Sequence, residues 1–181
     1  MRILCLGDSN TYGYDPRSFF GDRYPSGDRW VDLLAKQTGW EMVNDGANGR
    51  EIPRRFPVPY LLSEAQRTDI LLVMLGTNDL LQGASASEAA NRMDAFLEQI
   101  VPHFKRIMLV APPPMTRGAW VPTEELVTES IRLAEEYREL EAKRTIPFID
   151  TRHWSIELTF DGVHFTEAGH LTFANNLMAY L

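Results

Sequence analysis

Short apolar runs alternate along this chain with longer segments whose apolar residues recur at helical spacing, and few architectures accommodate that order. The runs predict strands from Ile3 to Leu6, Glu41 to Asn44, Ile70 to Leu75, Arg106 to Ala111 and Ile146 to Asp150. A helix between two strands carries the chain back to the starting edge, so successive strands lie parallel. The class expected is therefore α/β, with helices covering a parallel sheet.

The helical segments are legible from their stripes. Met93, Phe96, Leu97 and Ile100 form one, after a capping box at Ser85 and Glu88, and Leu126, Leu133, Tyr137 and Leu140 form another. Leu171, Ala174, Leu177 and Leu181 are expected to face inward from the last helix, and a further helix is expected from Asp28 to Thr38. Pro112-Pro113-Pro114 through Pro122 cannot start as a helix and predicts a loop, which includes Trp120.

At 181 residues the chain fits one domain, residues 1–181, with no repeat or linker interrupting the pattern. Its net charge of −7 disfavours non-specific nucleic-acid binding and attachment to an anionic membrane surface, and favours a small or neutral ligand. The single cysteine, Cys5, allows no internal disulfide and falls inside the first predicted strand, where it reads as a buried apolar side chain. Met1-Arg2 leads directly into that strand without a signal-peptide pattern, so a cytoplasmic location is expected, and no apolar run is long enough for a membrane span.

In an open parallel sheet, ligands bind outside the carboxyl ends of the strands, and the polar motifs obey that rule. Gly7-Asp8-Ser9-Asn10 follows the first strand, Asn44-Asp45-Gly46-Ala47-Asn48-Gly49 ends the second, and Gly76-Thr77-Asn78-Asp79 follows the third. Asp161-Gly162-Val163-His164 lies beyond the fifth. A serine on a sharp turn after a buried strand has the exposed hydroxyl that a nucleophile needs, but it requires a base to take its proton. His164 can serve as that base if Asp161 orients the imidazole, with Gly162 allowing the tight turn between them. Asp150-Thr151-Arg152-His153 repeats the spacing, but Asp150 ends a strand, whereas His164 is followed by Thr166 and a helix. Surface or capping roles suffice for His103 and His170, no His, Cys and carboxylate spacing implies a metal, and no cofactor is implied.

These four ordered blocks resemble those of the SGNH (GDSL-like) hydrolase family, with Asn10 where many members carry Leu. The flanking sequence is similar to the arylesterase and acyltransferase branch. The resemblance implies a single-domain three-layer α/β/α sandwich with a flavodoxin-like five-stranded parallel sheet. It also implies a serine esterase with Ser9, Asp161 and His164 as catalytic triad and Ser9, Gly49 and Asn78 as oxyanion hole. The longer loops by which some members of that branch build oligomers and narrow channels are missing, so neither efficient acyl transfer nor a particular homo-oligomer is implied.

Tyr12, Tyr14, Trp120 and Trp154 lie in strand-end loops and are candidates to line a substrate pocket, although loop packing accounts for them equally. Arg50, Arg54 and Arg55 form a basic cluster that would meet a substrate anion or, more simply, be a solvated helix face. A small ester with a short acyl chain, acetyl included, is the expected substrate. Two alternatives stay open: acyl transfer to alcohols, and a non-catalytic flavodoxin-like binding module, since Ser9, Thr11 and Gly13 weakly imitate a phosphate-cradling loop.

Overall fold

In the computed structural model, which describes residues 1–20, 22–54 and 58–181, five parallel strands form one sheet. They are β1 (Arg2–Gly7), β2 (Glu41–Gly46), β3 (Ile70–Met74), β4 (Ile107–Val110) and β5 (Phe148–Ile149), in the order β2-β1-β3-β4-β5. All four pairings are parallel, with Leu4 opposite Val43 on one side and Leu71 on the other. Successive side chains of a strand point to opposite faces, and β1 shows the result. Leu4 and Leu6 join the core on one face, and Ile3 and Cys5 join the core on the other. Cys5 is buried, as its place in the sequence suggested.

Among the described residues, seven α-helices cover the sheet or close its carboxyl edge: α1 (Ser9–Tyr12), α2 (Trp30–Thr38), α3 (Val58–Ala65), α4 (Thr77–Leu81), α5 (Ala86–Ile100), α6 (Glu124–Arg144) and α7 (Glu167–Leu177). On one face, Leu61 and Ala65 of α3, the stripe of α5 and Leu133, Tyr137 and Leu140 of α6 pack against Leu71, Val73 and Leu109. On the other, Trp30, Val31 and Leu34 of α2 and Phe173, Ala174 and Leu177 of α7 pack against Leu72, Met108 and Ile149. The layers are thus helix, sheet, helix. The capping box of α5 is present, with Ser85 and Glu88 each bonding the other's backbone N–H.

Three expectations need correction. The fifth strand is only two residues long: Pro147 has no N–H to extend the ladder backward, and β5 lies at the sheet edge. The inward face of α7 is carried by His170, Phe173, Ala174 and Leu177, while Leu171 is 46% exposed. Ala174 and Leu177 fit both registers, and the bulk of Phe173 selects the one in which it is buried. His170 is consequently not on the surface. It lies between the rings of Tyr24 and Phe165, and its Nδ1 accepts a long hydrogen bond (3.5 Å) from the first backbone N–H of α2.

Burial pushes the His170 imidazole down to about 3 from an ordinary 6.5. The folded chain therefore keeps it neutral between those values while the unfolded chain binds a proton. Stability is fully present above about pH 6.5 and falls by up to about 1.4 kcal/mol per unit as pH drops through the window. Urea unfolding at pH 7 and pH 5 tests this: wild type should lose more stability between the two than His170→Gln, and equal losses would show that the imidazole is not held neutral.

Candidate active site

The strand order reverses between β1 and β3, and the cleft opens there, at the carboxyl edge of the sheet. It has a volume of about 500 Å³ and is lined by Ser9, Tyr14, Asn48, Gly49, Asn78, Leu81, Gln82, Trp120 and His164. Not one of these side chains carries a fixed charge.

Ser9 opens α1, a single turn that starts where β1 stops. Its N-cap is Asp8, whose carboxylate accepts the Asn10 backbone N–H at 2.9 Å, and its C-cap is Gly13 in the left-handed region. The Ser9 Oγ lies 2.9 Å from His164 Nε2, and His164 Nδ1 lies 2.7 Å from Asp161 Oδ2. A proton on Nδ1 shared with the carboxylate leaves Nε2 as an acceptor for the serine hydroxyl. The three groups, drawn from opposite ends of the chain, thus form one hydrogen-bonded line.

Asp161 is held as an anion. Its Oδ1 accepts from the Thr159 hydroxyl and from the backbone N–H groups of Val163 and His164, at 2.9 to 3.0 Å. Burial pushes its carboxyl up, but the hydrogen bonds from the His164 ring and from those two backbone groups outweigh it and bring the carboxyl down to about 2. Gly162 makes the turn possible: its φ is +82°, and a Cβ would lie 2.1 Å from the Thr116 carbonyl oxygen. That carbonyl belongs to the proline-rich loop, whose next residues bond back, Trp120 N–H to the Asp161 carbonyl at 3.0 Å.

The second and third blocks meet on the opposite wall. Asn78 Nδ2 donates to the Arg50 carbonyl at 3.1 Å, which orients the amide and leaves its second hydrogen uncommitted to that bond. Asp79, fully buried, joins the two blocks: it accepts the Ile52 N–H at 2.9 Å and pairs with Arg92 at 2.8 Å, a bracing role. Gly49 has a φ of +72°, and among the described residues a Cβ there would meet no atom within 4 Å beyond its chain neighbours. Its glycine is demanded by backbone conformation, not by crowding from the protein.

Asp8 does not enter the cleft. It is buried behind Ser9, hydrogen-bonded to Asn10 and Thr77, and burial pushes its carboxyl up to about 6 against the pull of those bonds and of His164 and Arg50. Arg50 is neither a solvated face nor a free anion receptor. Its guanidinium donates to the carbonyls of Gly7 and Asp45 and pairs with the Asp45 carboxylate at 3.0 Å, tying β1 to β2. Arg54 pairs with Glu51, and Arg55 lies outside the described residues. Asp150 is committed to Arg138 and Arg152, and His153 lines a separate groove, so the second Asp-x-x-His has no part in the cleft.

Of the pocket candidates, Tyr14 and Trp120 flank His164, with ring centroids 4.8 and 5.0 Å from the imidazole. Tyr12 and Trp154 do not reach it. The Arg23 guanidinium covers the Tyr12 ring at 4.4 Å, and Trp154 packs on Phe173 at 5.2 Å in the core of the far sheet face. Sequence reading missed Asn48, Leu81 and Gln82. The last two follow Asn78 by three and four residues, so they share its side of α4, a signal that helical spacing carries.

Among the described residues, no cluster of three or more His, Cys, Asp or Glu is arranged to hold a metal, and no helix is long and apolar enough to cross a membrane.

Comparison with known proteins agrees with this geometry. The profile of the GDSL-like lipase/acylhydrolase family matches residues 5–171. Among solved structures, the native aryl esterase of M. smegmatis is 27% identical with a TM-score of 0.80, covering 99% of each chain. A proposed arylesterase from Agrobacterium tumefaciens str. C58 is 28% identical with a TM-score of 0.82, over 99% of this chain and 98% of the other. A carbohydrate acetylesterase family member from Sinorhizobium meliloti is 25% identical with a TM-score of 0.75, over 100% of both. No curated protein sequence matched significantly. With its four blocks assembled at one sheet edge and the family profile spanning all of them, the chain belongs to the GDSL-like lipase/acylhydrolase family and is a carboxylic ester hydrolase.

Proposed function

We propose that the protein hydrolyses small neutral esters with short acyl chains, acetyl included, through an acyl-enzyme on Ser9. The observation that carries this reading is the continuous line from Ser9 Oγ through His164 to a carboxylate held at about 2. In the first step Ser9 Oγ attacks the acyl carbon and its proton passes to His164 Nε2. Asp161 stays ionised and stabilises the imidazolium. The backbone N–H groups of Ser9 and Gly49 and the second hydrogen of Asn78 Nδ2 bind the oxyanion. His164 then protonates the departing alcohol, and a water molecule, deprotonated by His164, attacks the acyl-enzyme to release the acid and restore Ser9.

The lining supports the substrate class. A cleft of about 500 Å³ whose lining has no Lys or Arg side chain offers a phosphate or carboxylate no cationic partner. Tyr14 and Trp120 border His164, the group that delivers a proton to the leaving alcohol, so they are suited to receive that alcohol's ring or sugar face. Leu81 and Gln82, beside Asn78, make a short wall suited to a small acyl group. The arylesterase and carbohydrate acetylesterase neighbours accord with this division.

A fluorophosphonate should add once, at Ser9, by intact mass and peptide mapping, and should leave Ser9→Ala unlabelled. Ser9→Ala or His164→Ala is expected to lower turnover by up to about six orders of magnitude. Asn78→Ala should cost about a hundredfold to a thousandfold. A folded Ser9→Ala protein with full activity would remove the mechanism, and a panel in which long-chain thioesters outpace acetyl esters would remove the substrate class.

The two tryptophans should separate in their effects. Trp120→Ala is expected to lower kcat/KM on aryl or sugar acetates several-fold, from loss of about 1 kcal/mol of ring contact, with little change in Tm. Trp154→Ala should instead cost about 3 kcal/mol of stability and leave KM unchanged. A change in KM for Trp154→Ala would contradict its placement in the core.

A further inference from the structure

Asn10, immediately after the nucleophile, makes two buried hydrogen bonds that span nearly the whole chain. Its Nδ2 donates to the Val163 carbonyl at 3.0 Å, and its Oδ1 accepts the Phe165 N–H at 3.0 Å. The amide thus bonds the backbone on both sides of His164, the residue between. Its orientation follows from its partners, since only the oxygen can take the Phe165 proton and only the nitrogen can give one to Val163.

Both halves of this bracket are anchored. The Asn10 carbonyl accepts the Trp30 indole N–H at 3.1 Å, and the Phe165 carbonyl accepts the Tyr24 hydroxyl at 3.0 Å. The element it steadies is short: α1 is four residues long, held otherwise by its caps at Asp8 and Gly13 and by Asn44 Nδ2, which donates to the Thr11 carbonyl. Asp161 orients the imidazole ring relative to its own loop, but it exerts no hold on where that loop stands relative to Ser9.

We propose that Asn10 is the positioning residue that sets the Ser9 to His164 distance, by pinning the loop that carries the base to the turn that carries the nucleophile. The proposal rests on the reading of Ser9 and His164 as nucleophile and base. Leu, which many members of the family carry here, branches at Cγ as Asn does but is larger and pairs with neither backbone group. It would leave the Val163 carbonyl and Phe165 N–H unpaired in a buried place and free the loop to shift by fractions of an ångström. Proton transfer from Ser9 to His164 is sensitive to such a shift, whereas ground-state binding in the cleft is not.

The test is Asn10→Leu, with active sites counted by fluorophosphonate end-point labelling and kinetics measured on an aryl acetate. The expected result is a kcat about 10- to 100-fold lower per labelled site, with KM within about twofold of wild type, as misplacement of reacting groups predicts. In a His164→Ala background the same substitution should cost nothing further, because its effect passes through His164. A kcat within about twofold of wild type, or an equal loss in the His164→Ala background, would overturn the proposal. Should Asn10→Leu fail to fold, Asn10→Asp keeps the acceptor for Phe165 and loses the donor to Val163, and wild-type kcat in it would be equally adverse. In the wild-type protein the Phe165 amide should be protected from hydrogen exchange, and rapid exchange there would also refute the bracket. Loss of activity in Ser9→Ala together with wild-type kcat in Asn10→Leu would sink the bracket alone. Full activity in Ser9→Ala would sink the esterase reading beneath it.

Discussion

Parallel pairing is the constraint on which the rest of this protein depends. Strands that all run one way must be joined by crossovers, so every carboxyl end lies on the same edge and every loop leaving it can contribute to one cleft. Ser9, Gly49, Asn78 and Trp120 leave β1, β2, β3 and β4 in turn, and His164 comes from the chain beyond β5. The reversal of order between β1 and β3 opens the space between the loops that follow them. An antiparallel arrangement of the same segments would distribute these residues over two edges.

Within that frame, most polar groups near the cleft are occupied in fixing backbone. Asp79 and Arg50 tie neighbouring loops together, Asp8 caps α1, and Asp161 saturates one oxygen with three donors before offering the other to His164. Charge is spent inside the walls and kept off the lining. A neutral cleft leaves fixed dipoles as the groups that meet a developing charge, which is how oriented N–H donors stabilise an oxyanion.

Much of this was legible from residue order. The five strands, the capping box of α5, the stripes of α5 and α6 and the placement of four polar blocks at strand ends follow from periodicity and turn chemistry, which are local properties. The failures share a cause as well. Periodicity alone puts the last helix in a register that buries Leu171, because Ala174 and Leu177 satisfy either register and only packing against Trp30 and Trp154 favours Phe173. Position after a strand groups Tyr12 and Trp154 with Tyr14 and Trp120, yet an aromatic side chain can leave such a segment in either direction. Arg23 and Phe173, neither of them a sequence neighbour of the ring it meets, decide the direction for the first two.

The sequence by itself determined the class of fold and the sheet edge at which the polar blocks collect, and it singled out the serine, histidine and aspartate that the fold draws into one hydrogen-bonded line, because strand period, turn residues and motif spacing are written in neighbouring positions. Tertiary structure alone decided which aromatics face the imidazole, that Arg50 is a brace, that His170 is buried and that Asn10 clasps the loop of His164. Each of those outcomes depends on a partner up to 155 residues away, and a contact across that distance exists only once the sheet has brought the two ends of the chain together.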